Sequence, residues 1–244
     1  MAKRTASAAD ALDNHGTGHS QLPHSGQLRT TAYSLSKGTV LHRVHHEHYS
    51  ADQFNPGVRG NARFSPIRNA EGDPIPTLYA GVTKACAMME TIFHDVSFAP
   101  GLKTYDKSKL QGQVHSTLLV LEDLTLIDLA SVALRKLGIS RKEIIDTEKD
   151  CYPTTRQWAE KIYAQCPVTQ GLTWISRQDD SARSVMLFGN RMTPQSLAQI
   201  GESLSLINDG ATYDDVLDLA ERLDVLIVPG KEWKGSKTPA YNAV

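Results

Sequence analysis

The stretch running from Asn55-Pro56-Gly57, through Gly60-Asn61-Ala62-Arg63-Phe64-Ser65 and Leu78-Tyr79-Ala80-Gly81, to Ala85-Cys86-Ala87-Met88-Met89-Glu90 decides the reading of this chain. It begins with a turn: proline presets the backbone angle and glycine takes the positive one. Residues 60–65 then read as the entry to a short strand containing Arg63 and Phe64. Residues 69–76 are rich in turn formers, and residues 76–82 have the composition of a short buried strand. Thr83 is the expected N-cap of a helix reaching about residue 94, with Ala85, Met88, Met89, Ile92 and Phe93 on its apolar face. Glu90 stands within two positions of both Met89 and Ile92. A helical carboxylate is usually solvated. One hemmed in by large apolar side chains is expected to be partly buried and to carry chemistry.

Upstream, residues 39–46 (Thr-Val-Leu-His-Arg-Val-His-His) alternate as a strand does. Val40, His42 and Val44 share one face, and Arg43 lies on the other beside Leu41. The histidines His42, His45, His46 and His48 raise the question of a metal. Strand geometry pairs only His46 with His48, and no Cys, Asp or Glu completes a set at a usual spacing, so no metal is expected. Residues 1–36 show no sustained apolar period and read as a mobile arm, with a short helix near residues 6–12.

Downstream, residues 114–121 and 124–129 read as two strands around Glu122-Asp123. Residues 131–136 form a helix closed by Gly138. A helix capped by Thr154 or Thr155 runs to about residue 165. Residues 171–177 are a strand ending in Ser176 and Arg177, and residues 185–188 another. Thr193-Pro194 opens a short helix. Thr212 caps a helix to about residue 223, and residues 224–228 form a last strand. Residues 231–244 read as a solvated tail, which leaves 37–230 as one domain of the 244-residue chain.

Composition narrows the function classes. A net charge of −1 gives no overall basic field for nucleic acid or a membrane surface. The three cysteines form no CxxC pair, which fits a reducing compartment and a cytoplasmic chain. No secretory pattern follows Lys3 and Arg4, and no apolar run approaches a membrane span. Neither a Gly-x-Gly-x-x-Gly motif nor a P-loop is present, so a dinucleotide here would be a substrate in a cleft.

Taken in order, His42-Arg43-Val44, Phe54-Asn55-Pro56, Ala62-Arg63-Phe64-Ser65, Leu78-Tyr79-Ala80, Ala85 to Glu90, Ile175-Ser176-Arg177 and Leu187-Phe188 resemble the RES domain family over roughly residues 39–190. The resemblance implies an α+β fold similar to that of ADP-ribosyltransferases, with a split mixed or antiparallel sheet and flanking helices. It implies a bacterial toxin of a toxin–antitoxin pair that destroys NAD at the nicotinamide–ribose bond and arrests growth. The partner would be an Xre-type helix-turn-helix antitoxin, and a homodimer is compatible with it. No resident cofactor is implied: NAD is the substrate, and phosphate is a potential co-substrate.

The residue types suit that chemistry. Cleaving an N-glycosidic bond builds positive charge on the sugar, which a carboxylate such as Glu90 stabilises. Nicotinamide leaves from a cationic nitrogen, so no general acid is required. Arg43 and Arg63 suit a pyrophosphate, Tyr79 a nicotinamide or ribose face, and Arg177 the substrate's charge. Ser176 offers a small donor and acceptor for ribose, carboxamide or phosphate; no neighbouring base would make it a nucleophile. The expected catalytic residues are Glu90, Arg43 and Ser176, and the expected substrate-binding residues are Arg63, Tyr79 and Arg177. Two other readings remain open: a protein mono-ADP-ribosyltransferase, and a non-catalytic nucleotide-binding module.

Overall fold

The computed structural model describes residues 22–230. The elements run in the order β1 (Ala32–Leu35), β2 (Val40–His46), β3 (Ile67–Arg68), β4 (Pro74–Ile75), β5 (Thr77–Gly81), α1 (Lys84–Met89), β6 (Lys103–Asp106), β7 (Gln113–Val120) and β8 (Leu124–Asp128). There follow α2 (Ser131–Leu137), α3 (Arg141–Ile144), α4 (Tyr152–Gln165), β9 (Gly171–Ile175), β10 (Arg183–Phe188), β11 (Leu197–Ser205), α5 (Gly210–Arg222) and β12 (Val225–Val228). The architecture is α+β. An 8-stranded sheet has the order β1-β8-β9-β10-β5-β2-β7-β11. Only β8 and β9 pair parallel within it, and the helical crossover through α2, α3 and α4 supplies the long connection that parallel neighbours need.

The join between β5 and β2 is the feature that places a site. The two strands share a single register pair, His42 with Gly81, and diverge beyond it. The 50–57 segment fills one side of the opening, where Asn55 bridges to Thr77 of β5 and Gly57 turns the chain with φ 76°. The sheet is therefore split, with its closed end at His42.

Alternation along the strands feeds cores on both faces. On β10, Val185 and Leu187 point into a cluster with Leu41, Leu78 and Leu118. Met186 and Phe188 point oppositely, to Trp158 and Ile162 of α4. Val44 joins a third cluster with Met88, Phe93, Val216 and Leu219, which packs α1 and α5 beside the split. Gly81 lets α1 sit close, since a Cβ there would meet the Ala87 nitrogen at 3.0 Å.

Several local expectations differ from the fold. Residues 60–65 form no strand; the Ala62 amide donates to the Ser65 carbonyl and closes a turn. Thr83 does cap α1, but the helix stops at Met89, well before residue 94. Helix α4 starts at Tyr152, with Pro153 in its first turn, because Thr155 spends its hydroxyl on backbone carbonyls instead of capping. Thr193-Pro194 opens a turn, and the chain enters β11 directly. Asp209, not Thr212, caps α5: its carboxylate accepts the Thr212 amide at 2.8 Å. The arm boundary at residue 36 moves as well. Leu28 is buried against the α4 cluster and β1 forms the sheet edge on β8, so residues 28–35 belong to the domain. The short helix near residues 6–12 and the tail 231–244 lie outside the described residues.

Candidate active site

A cavity of about 320 Å³ opens in the split. His42, Arg43 and Val44 of β2 and Tyr79 and Ala80 of β5 line it, with Ala87, Glu90 and Thr91 from the end of α1. Asn61, Ala62 and Arg63 come from the turn, Lys149 from the short helical turn before α4 and Tyr152 from its first position, and Trp174 and Ser184 from β9 and β10. The volume falls at the low end of small-molecule sites, roughly 300–1,000 Å³.

Glu90 is the C-cap of α1, its amide bonded back to the Cys86 carbonyl. A carboxylate at a helix C-terminus opposes the helix dipole, so its placement needs other support. Ser176 gives it. Buried just beyond β9, Ser176 donates its hydroxyl to Glu90 Oε1 at 2.6 Å. Ser176 Oγ itself accepts the amides of Gln178 and Asp179 at 3.0 and 2.9 Å, which fixes the hydroxyl's direction. Ser184 stands farther off, 3.5 Å from the same carboxylate oxygen.

Arg63 supplies the charge opposite. Its guanidinium is buried, donates to Thr147 Oγ1 at 2.7 Å and to the Thr147 carbonyl at 3.3 Å, and lies 5.2 Å from the Tyr152 ring centroid. Burial lowers its pKa while Tyr152 and Glu90 raise it, so Arg63 and Glu90 feel each other's charge. Arg63 is held from behind, where Thr155 of α4 donates to its carbonyl. The next amide, Phe64, donates to the Tyr79 hydroxyl at 3.2 Å. That hydroxyl stays protonated, because burial drives its pKa upward. The Tyr79 and Phe64 rings both meet Trp174 edge-on, with centroids 6.2 and 5.1 Å away.

The family model of the RES domain matches residues 40–209. The chain belongs to the RES domain family. Among curated proteins none matches it. A chain of the M. tuberculosis MbcT–MbcA toxin–antitoxin complex, known from a crystal structure, superposes on it with a TM-score of 0.53 at 14% sequence identity. The superposition covers 75% of this chain and 90% of that one. At that identity the likeness speaks for the fold.

Within this RES domain the expected site residues divide. Glu90, Ser176, Arg63 and Tyr79 gather around the cavity as one hydrogen-bonded and charge-coupled group. Ser176 reaches it only through Glu90, since its side chain is buried and does not line the wall. Arg43 lines the wall, but its Nη1 donates to the carbonyls of Ala51 and Gln53 at 2.6 and 2.8 Å. Burial lowers its pKa to about 10, and the acid it feels is Asp52 rather than Glu90. Its anchor is the segment that wedges the split open. Arg177 lies outside the cavity wall: it donates to the Thr147 carbonyl at 2.6 Å and pairs with Glu148. Thr147 thus ties two guanidinium groups to one loop.

Sequence reasoning missed Thr147, Tyr152, Lys149 and the His42–His115 contact. The Tyr152-Pro153 pair was the one local signal, because proline in the first turn of a helix marks where Tyr152 stands. The mouth of the cavity is laced by Lys149 to Asp95 at 2.7 Å, Tyr152 to His94 Nε2 at 3.2 Å, and Gln178 to the His94 carbonyl at 3.0 Å. The lysine and histidine bonds hold the Asp95 carboxyl below its usual range. Among the described residues, no group of three or more His, Cys, Asp and Glu is placed to hold a metal ion, and no helix is long and apolar enough to cross a membrane.

Proposed function

We propose that this RES domain is the toxin of a toxin–antitoxin pair, and that it cleaves NAD at the bond between nicotinamide and ribose. The observation that carries the reading is Glu90: a half-buried carboxylate, aimed by Ser176, in a cavity that also holds a buried arginine and three aromatic rings. In the reaction the ribose C–N bond breaks, and its electron pair goes to the pyridinium nitrogen, which becomes neutral. Glu90 stabilises the positive charge left on the sugar by attracting it and by accepting from a ribose hydroxyl. Arg63, which faces Tyr152, and Lys149 hold the pyrophosphate. Tyr79 and Trp174 border the ribose. Water then forms the new C–O bond and releases its proton to solvent, or phosphate forms it through one of its anionic oxygens. Arg43 acts by fixing the 51–53 backbone beside the cavity, and Arg177 by fixing the 147–148 loop.

Pure protein incubated with NAD, with and without phosphate, tests this when products are identified by mass. ADP-ribose alone indicates hydrolysis, and ADP-ribose carrying phosphate indicates phosphorolysis. Label on protein would instead support a mono-ADP-ribosyltransferase. No consumption under either condition would leave a nucleotide-binding module.

An enzyme that drains the NAD pool needs restraint. The structural neighbour from a toxin–antitoxin complex supports restraint in trans, and an Xre-type helix-turn-helix antitoxin is the proposed partner. A carboxylate-bearing segment over Arg63 and Lys149 would suit the cavity mouth. Expression alone should arrest growth in the cytoplasm, and co-expression with the neighbouring reading frame should relieve the arrest. Harmless expression of an active, NAD-consuming wild type would remove the toxin role.

A further inference from the structure

One pair of titratable groups at the cavity takes no part in the reaction proposed above. His42 and His115 sit on adjacent strands, with His42 Nδ1 2.9 Å from His115 Nε2. Their rings are 17° from parallel with centroids 5.2 Å apart. With the nearest nitrogens at hydrogen-bond distance, the imidazoles meet through those nitrogens. His115 is buried, 4% exposed, and does not line the cavity; His42 is half-buried and does. His42 is also the residue at which β2 and β5 close, so its backbone is held where the split narrows. Val44 on the same strand face, Ala80 and Ala87 line the cavity beside it without a formal charge; Arg63 enters from the turn whose Phe64 amide meets the Tyr79 hydroxyl, and faces Tyr152.

We propose that His42, oriented by His115, reads the carboxamide of the nicotinamide and makes the cavity prefer the amide over the corresponding carboxylate. The inference rests on the NAD reading of the cavity. A dinucleotide laid with its pyrophosphate at Arg63 and its ribose at Glu90 leaves its nicotinamide the closed end of the split, at His42. The bound ring is cationic, so a protonated imidazole there would repel it. The pair is neutral at neutral pH, because burial and Lys84 lower both pKa values, that of His115 to about 4. The other groups facing the pair are Asp215, which is paired with Lys84 at 2.6 Å, and His45. Two neutral imidazoles share one proton in the bond between them. With that proton on His42 Nδ1, donated to His115, His42 Nε2 is left as an acceptor. It takes the carboxamide N–H. A carboxylate offers no N–H and sets a lone pair against a lone pair.

The test compares kcat/KM for NAD and for nicotinic acid adenine dinucleotide, with products identified by mass. The wild type should prefer the amide on the order of 10- to 100-fold. His42→Phe keeps a ring without its nitrogens and should bring the ratio close to one. His42→Gln restores an acceptor oxygen and should recover part of the preference. A merely structural role would lower both substrates together and leave the ratio unchanged. A wild type without preference, or a His42→Phe protein with the wild-type ratio, overturns the proposal while the NAD reading stands. A wild type that consumes neither dinucleotide overturns both. Should His42→Phe fail to fold, the wild-type ratio and His42→Gln still decide.

Discussion

Ser176→Ala is the perturbation that best separates a positioning role from a substrate contact. The hydroxyl donates to Glu90 Oε1 at 2.6 Å and accepts the Gln178 and Asp179 amides at 3.0 and 2.9 Å. A hydrogen bond to a charged group contributes about 1.5–3 kcal/mol. The two amides lie in a partly exposed turn where water can replace part of what they lose. The expected loss is therefore about 2–4 kcal/mol, which for a domain of this size lowers Tm by roughly 4–16 °C. The chemical effect follows from the same geometry. Without Ser176, the partner left to Glu90 is Ser184 at 3.5 Å, too weak to hold one rotamer. A displacement of about 1 Å at the reacting centre costs on the order of 100-fold, so kcat should fall 10- to 100-fold. KM should change little, because Ser176 does not border the cavity. Thermal unfolding followed by circular dichroism, and initial rates of NAD consumption, give both numbers. A variant with wild-type Tm and kcat refutes the positioning argument. A change confined to KM would return Ser176 to the substrate.

Glu90→Gln keeps the acceptor for Ser176 and removes the charge, so the fold should persist while turnover falls on the order of 100- to 1,000-fold; unchanged turnover in a folded variant would take Glu90 out of the mechanism. Arg63→Ala should weaken NAD binding measured by calorimetry with kcat less affected, whereas Arg43→Lys, which keeps charge but not the fork holding Ala51 and Gln53, should show first as proteolytic cleavage in the 50–57 segment. Stability should also fall with acid. His115 has a folded pKa of about 4 against an ordinary 6.5, so its contribution is fully present above about pH 6.5 and is lost as pH falls towards 4. The loss is on the order of 3 kcal/mol, read from urea midpoints between about pH 7 and about pH 4.5, and His115→Phe should flatten that slope.

The parts of the fold that were readable in sequence are those whose cause is local. Thr83 caps α1 and Gly138 closes α2 because the cap contacts lie within a turn of the chain. Strands β2, β5 and β10 were readable because their burial alternates or runs continuously. Strand β11 was not. Most of its side chains are exposed, Gly201 interrupts it with φ 65°, and its register on β7 shifts between Ile200 and Leu204, so no period of two survives. The expected arm failed for a related reason. A strand of four residues at a sheet edge, anchored by one buried leucine, carries too little apolar signal to stand out from a linker.

The site shows the same division at a finer scale. Residue type alone suited Arg43 and Arg63 alike to a pyrophosphate, two guanidinium forks upstream of a glutamate. What separates them is where each backbone goes. Arg63 sits in a turn clamped by Thr155 from one side and by the Tyr79 hydroxyl on the next amide, which turns it toward Tyr152 and Glu90. Arg43 sits in a strand, where alternation sends it to the face opposite Val44, onto the wedge that keeps β2 from closing on β5. Had β2 and β5 paired along their full length, Val44 and Tyr79 would stand side by side in a continuous sheet, with no cavity between them. On the proposed function, the charge that meets the substrate and the charge that braces the 50–57 segment are therefore different arginines, and the partners of each guanidinium group, not its residue type, tell them apart.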